Sequence, residues 1–135
     1  MKNTIFEGVA TALVTPMNED GSINFDRLRT LIDEQIEAGI PALVICGTTG
    51  ESATMTLEEH AEVIRVAIKH ANGRIKIIAG AGSNDTACAI DLAKEAEEAG
   101  ADALLVVTPY YNKATQKAIE ELHAKIEDRK TQINE

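Results

Sequence analysis

The chain has 135 residues, 44% of them hydrophobic, and 22 acidic against 13 basic side chains give it a formal net charge of -9. That is enough chain for one domain with a real core, since about two-thirds of the unfolded surface is buried at this size. The acidic balance excludes a phosphate-tracking surface, because nucleic-acid binding draws on clustered Lys and Arg, and no run of about 18 apolar residues offers a membrane span.

The apolar period then alternates between strand and helix along the chain. Val9 to Thr15 reads as a short strand buried on both faces, followed by a turn over 18–21 and a helix from Phe25 to Ala38, with Asn24 as its cap and Gly39 as its left-handed stop. Ala42 to Cys46 is the second strand. Thr56 and Glu59 form a capping box that opens a helix to Ala71, which Asn72-Gly73 ends. Ile75 to Ala79 is the third strand, and the helix from Thr86 to Ala99 turns Ala89, Leu92, Ala93 and Ala96 inward before Gly100. Ala103 to Thr108 is the fourth strand, stopped by Pro109, and a charged helix from Thr115 to Lys130 carries the stripe Ile119, Leu122 and Ile126.

Strands separated by helices are parallel neighbours joined by right-handed crossovers, so the fold is α/β with four βα units. Two closures compete on periodicity alone. Four units supply half of a TIM (β/α)8 barrel, and a flattened, flavodoxin-like open sheet is the alternative. In both, functional groups gather where strands end and helices begin.

The sharpest local signal is Gly47-Thr48-Thr49-Gly50-Glu51-Ser52, directly after the second strand. Thr hydroxyls and turn amides on so short a loop can converge on a small carboxylate or relay a proton. Thr108-Pro109-Tyr110-Tyr111-Asn112-Lys113 is the second signal, because two of only four aromatic residues stand together just past a strand. That placement suits a cleft better than a core. Gly80-Ala81-Gly82-Ser83-Asn84 resembles a phosphate-binding glycine loop only superficially, since Asp85 would repel phosphate; it reads as a tight turn with Asp85 at the helix start. His60 reads as a solvated helix residue, and His70 and His123 have no supporting neighbours. The clusters Glu95/Glu97/Glu98 and Glu120/Glu121 read as solvated helix faces, with Glu121 paired to Lys125. Cys46 and Cys88 lack CxxC spacing and read as buried structural thiols, so neither a metal nor another cofactor is expected. Residues 1–6 lack the apolar core of a secretory signal, which predicts a cytoplasmic protein with no membrane partner.

Taken in order, the Gly47–Ser52, Ile78–Asn84 and Val106–Lys113 segments resemble the amino-terminal half of the dihydrodipicolinate synthase (4-hydroxy-tetrahydrodipicolinate synthase) family, within the class I pyruvate-dependent aldolase/lyase superfamily. N-acetylneuraminate lyases share the first motif in looser form. The likeness spans roughly residues 1–116 and favours the half barrel: a single (βα)4 domain over 1–135, with 117–135 a divergent charged terminal helix. The resemblance implies a lyase of lysine biosynthesis, in which a lysine later in the chain forms a Schiff base with pyruvate and the enamine attacks aspartate semialdehyde. It implies that Thr49 and the Thr48 amide hold the pyruvate carboxylate, and that Thr48 and Tyr111 belong to a proton relay in which the tyrosine serves a neighbouring subunit's site. Ser52, Ala53, His60, Asn84 and Tyr110 match positions of the family's allosteric lysine pocket. Leu57 and Cys88 stand where lysine-sensitive members have His and Glu, so lysine binding is not expected.

After Lys113 the family pattern fades, and the segment that bears the Schiff-base lysine is expected to be missing. Lys113 does not replace it, because amine catalysis needs a buried lysine and this one sits in a polar loop. The expected protein is therefore a truncated half barrel, catalytically silent alone, whose unpaired first and fourth strands drive homo-oligomerisation. The competing expectation is an active pyruvate-dependent lyase when a second polypeptide supplies the rest.

Overall fold

The computed structural model describes residues 4–133; residues 1–3 and 134–135, which the expected 1–135 domain includes, lie outside them. The elements alternate as β1 (Ala10–Ala12), α1 (Phe25–Glu37), β2 (Ala42–Ile45), α2 (Leu57–Ala71), β3 (Lys76–Gly80), α3 (Thr86–Ala99), β4 (Ala103–Leu105) and α4 (Gln116–Ile133). Two short 3-10 turns, Thr48–Gly50 and Ser52–Thr54, lie between β2 and α2.

The four strands are parallel and ordered β1-β2-β3-β4, with Ala12, Val44, Ile78 and Ala103 in register across the sheet. Each crossover thus steps to the next position, and each helix packs on the next: α1 on α2, α2 on α3, α3 on α4. A flavodoxin-like sheet reverses its strand order at a switch point and carries helices on both faces. Neither feature is present among the described residues, so the open-sheet alternative is excluded and the four units wind as part of a (β/α)8 barrel.

Strand alternation divides the side chains between two faces. On the helix side, Leu43, Ile45 and Ile77 are buried against Leu28 and Ile32 of α1 and Val63 and Ile64 of α2. A smaller cluster joins Ala89, Leu92 and Ala93 of α3 to Leu122 and Ile126 of α4, two members of the stripe expected there. Among the described residues no helix covers the opposite face, where Val14, Leu105 and Val107 stand exposed.

The edge strands are shorter than the apolar runs that encode them. β1 spans three residues of the run 9–15 and β4 three of the run 103–108. Each has a partner on one side only, although Leu13 N still donates to the Val44 carbonyl (3.0 Å) and Ala81 N to the Leu105 carbonyl (3.0 Å).

The helix signals act as expected. Asn24 accepts from Arg27 N (2.9 Å), Asp85 accepts from Ala87 N (2.8 Å), and Asn72 (φ 46°) and Gly100 (φ 96°) close α2 and α3 in the left-handed region. Thr56 N donates to the Glu59 carboxylate (2.8 Å), while Glu59 N donates to Thr56 Oγ1 (3.2 Å). Thr56→Ala removes one arm of this box, with an expected loss of about 1 kcal/mol and a Tm lower by roughly 4 °C in a calorimetric scan.

Three expectations for side chains are corrected. His70 is not isolated: its Nε2 donates to Asp33 Oδ1 (2.9 Å), which also accepts from Arg74 (3.0 Å) and so ties α1 to the end of α2. The hydrogen bond from His70, with that from Arg74 behind it, holds the Asp33 carboxyl below its usual range. Glu121 lies 3.9 Å from Lys117, one turn before it, and not against Lys125. Cys88 is half-buried instead of buried, its thiol pushed up first by desolvation and then by the Asp85 charge.

Candidate active site

A cleft of about 540 Å³ opens at the carboxyl ends of β2, β3 and β4. This is the end of a βα-wound sheet at which loops carry function, and the volume suits a small organic ligand. Its walls come from three loops. Gly47, Thr48, Ser52 and Ala53 follow β2; Gly80 ends β3 and Gly82 follows it; Leu105 ends β4, and Val107, Thr108, Tyr110 and Tyr111 follow it.

In the first loop, Gly50 N and Glu51 N donate back to the Gly47 and Thr48 carbonyls at 3.0 Å. The amides of Thr48 and Thr49 therefore start the 3-10 turn and have no carbonyl partner within it. Thr48 lines the cleft, and Thr49 is exposed beside it on the same turn. In the third loop the Tyr110 and Tyr111 rings meet edge to face, 5.9 Å apart at 84°. Tyr111 is 96% exposed and holds a left-handed φ of 63°. Asn112 Nδ2 anchors that loop by donating to the Asn84 carbonyl at 2.8 Å. Of the residues matched to the family's lysine pocket, Ser52, Ala53 and Tyr110 line the cleft, and Asn84 does not, its carbonyl being bonded to Asn112 of the tyrosine loop.

His60 corrects the expectation of a solvated helix residue, since it is only 5% exposed, beneath the cleft floor. Its Nε2 stands 2.7 Å from the Gly80 carbonyl, which can only accept, so Nε2 carries the proton of the neutral ring. Burial lowers the His60 pKa against the opposing effect of that hydrogen bond. Cys46, just past β2, has a φ of 57°, and its thiol turns under the strand toward the His60 carbonyl (3.8 Å). Desolvation pushes that thiol up to about 12, which leaves it protonated and inert as a nucleophile.

The Gly80–Asn84 segment is likewise not explained by turn geometry, because neither Gly80 nor Gly82 has a positive φ. A Cβ on Gly80 would overlap the Cys46 carbonyl group and lie 2.9 Å from Gly47 N, and one on Gly82 would lie 2.6 Å from Val107 N. The two glycines let β3 approach β2 and β4 closely where the cleft floor forms. Alternate glycines at the end of a strand are the sequence signal for such an approach. Sequence reasoning missed Gly80, Gly82 and Cys46 as cleft residues.

Among the described residues no lysine lines the cleft, and Lys113 is exposed with a φ of 47°. Among the described residues no group of His, Cys, Asp and Glu could hold a metal ion, and no helix is long and apolar enough to cross a membrane.

Sequentially wound βα units with a cleft at the carboxyl ends of their strands define a segment of a (β/α)8 barrel. The dihydrodipicolinate synthetase family matches residues 5–134, and the chain belongs to that family. It is 56% identical over 115 residues to the 4-hydroxy-tetrahydrodipicolinate synthase of Lachnoclostridium phytofermentans, covering 85% of this chain and 39% of that protein. The crystal structure of dihydrodipicolinate synthase from Aquifex aeolicus is 48% identical with a TM-score of 0.86, covering 90% of this chain and 41% of that one. The chloride-inhibited dihydrodipicolinate synthase from Acinetobacter baumannii, complexed with pyruvate, is 47% identical with a TM-score of 0.88, covering 93% and 43%. The chain thus spans about two-fifths of the length of the relatives it matches.

Proposed function

We propose that this chain forms the carboxylate-binding part of a pyruvate-dependent lyase of the dihydrodipicolinate synthase kind, is catalytically silent alone, and self-associates through its exposed strand edges. The observation that carries the reading is the Thr48–Gly50 turn, which begins at the cleft with two amides unpaired within the turn and a threonine hydroxyl beside each. Fixed amide and hydroxyl donors of this kind suit a small carboxylate. The pyruvate in the Acinetobacter baumannii relative supports that ligand. Thr48 and Tyr111 both line the cleft, which suits a hydroxyl relay for protons, while Ser52, Ala53, His60, Asn84 and Tyr110 serve as structure in a pocket that does not take lysine.

What supports the silence is that, among the described residues, no lysine lines the cleft. An exposed Lys113 lacks the burial that activates an amine. If a second polypeptide supplied the remaining units and their lysine, the same turn would hold pyruvate for condensation with aspartate semialdehyde.

Titrating the ¹⁵N-labelled chain with pyruvate tests the ligand assignment. The Thr48 and Thr49 amides should shift in a saturable way, with the response weakened at least tenfold in Thr49→Val. Shifts spread over the helix exterior, or none, would overturn the assignment.

A further inference from the structure

We propose that Cys46 is the positioning residue of the carboxylate turn: its left-handed backbone, held there by His60 and Gly80, aims the Thr48 and Thr49 amides at the cleft. This rests on the ligand reading above and names what sets the geometry of that site. β2 is extended to Ile45, Cys46 turns back at a φ of 57°, and Gly47 is extended again (φ -73°, ψ -172°) before the 3-10 turn begins at Thr48. The reversal at Cys46 therefore decides where the turn leaves the sheet. With an extended Cys46 the chain would run on along β2 and carry Thr48 past the cleft.

A left-handed conformation is unfavourable for a residue such as cysteine, and outliers of this kind persist only where the surroundings hold them. The contacts that do so come from α2 and β3, not from the turn itself. The Cys46 carbonyl lies where Gly80 has no Cβ, so any side chain on Gly80 would force that peptide to move. His60 Nε2 donates to the Gly80 carbonyl at 2.7 Å and keeps the end of β3 in place. Cys46 is buried, and its thiol donates to the backbone carbonyl of the same histidine at 3.8 Å. One residue of α2 thus ties the ends of β2 and β3 together. The far end of the turn is seated separately. There the Leu13 carbonyl and Thr15 hydroxyl oxygens each lie 3.2 Å from where a Gly50 Cβ would stand, and Glu51 is left-handed (φ 57°, ψ 33°).

Replacing the side chain in two ways separates backbone from bulk. Glycine populates both hands about equally, so Cys46→Gly leaves about half of the chains competent and should weaken pyruvate binding by no more than about twofold. Cys46→Ala loses the anchor and keeps the left-handed penalty, so pyruvate should bind at least about fivefold more weakly. The measurement is the dissociation constant from the Thr48 and Thr49 amide shifts of the ¹⁵N-labelled chain, for wild type and both variants. A role in packing alone predicts the reverse order, because alanine fills more of the space than glycine. A wild-type chain without a pyruvate response overturns the ligand reading and this inference together. A responsive wild type with Cys46→Gly weakened as much as Cys46→Ala, or with Cys46→Ala unchanged, overturns the positioning role alone. Should Cys46→Ala not fold, Cys46→Gly decides by itself: a kept response supports the role, and a lost response or a lost fold ends it.

Discussion

Gly80→Ala should cost the fold about 3 kcal/mol, at the upper end of what overpacking a core usually costs. The new methyl would meet the Cys46 carbonyl carbon at 2.6 Å and Gly47 N at 2.9 Å. These are backbone atoms of the neighbouring strand end and cannot rotate away. Relief requires β2 and β3 to separate, which also loosens the bond from His60 to the Gly80 carbonyl. Gly47→Ala is the control, since the nearest atom to its Cβ is a Val44 methyl at 3.2 Å and its φ of -73° suits any residue. Its expected cost is below about 1 kcal/mol. Urea unfolding distinguishes the two, with a much lower midpoint and an unchanged slope for Gly80→Ala.

His60→Ala is the second large effect. It strands a buried carbonyl acceptor and leaves a void, which together should cost about 3 kcal/mol near neutral pH. The pH dependence follows from the lowered His60 pKa, whose cause is burial. An unfolded histidine titrates near 6.5, whereas the folded one stays neutral to lower pH. Below about pH 6.5 the unfolded state therefore binds more protons, and the contribution of His60 to stability falls as pH falls, until the folded ring protonates as well. Urea midpoints at about pH 7.5 and 5.5 should show the wild-type advantage over His60→Ala shrinking in acid. An advantage that grows in acid would mean that the ring is charged in the fold.

Much of the fold is legible in the sequence because its punctuation is local. Asn24, the Thr56–Glu59 box, Asp85 and Gly100 act within one turn of where they stand, and each limits the helix expected of it. The choice between barrel and open sheet was not legible from periodicity, since strand order is a property of the whole sheet. The lengths of β1 and β4 also escaped it. An apolar run records that a segment is suited to burial on both faces, and these strands have one face and one edge uncovered.

The candidate site divides along the same line. The Thr48–Thr49 turn and the Tyr110–Tyr111 pair stand out in sequence because small hydroxyl residues and scarce aromatics cluster beside strand ends. His60 was misread because its neighbours Glu58 and Glu59 suggest a solvated turn, while its burial depends on Gly80, twenty residues away. Gly80 and Gly82 were misread as turn formers, because alternate glycines at a strand's end suit a turn and a close approach between strands equally, and only the neighbouring backbone decides between them. His70 gained its partners the same way, from Asp33 on another helix.

As proposed above, the cleft keeps a carboxylate-binding turn and, among the described residues, has no amine nucleophile. Incubation with pyruvate and borohydride, followed by intact-mass measurement, tests it most directly, because reduction of any Schiff base fixes the adduct covalently. The expected result is a chain of unchanged mass, alongside saturable shifts of the Thr48 and Thr49 amides with the same ligand. A stoichiometric gain in mass from one reduced pyruvate adduct, mapped to any lysine of this chain, would contradict it.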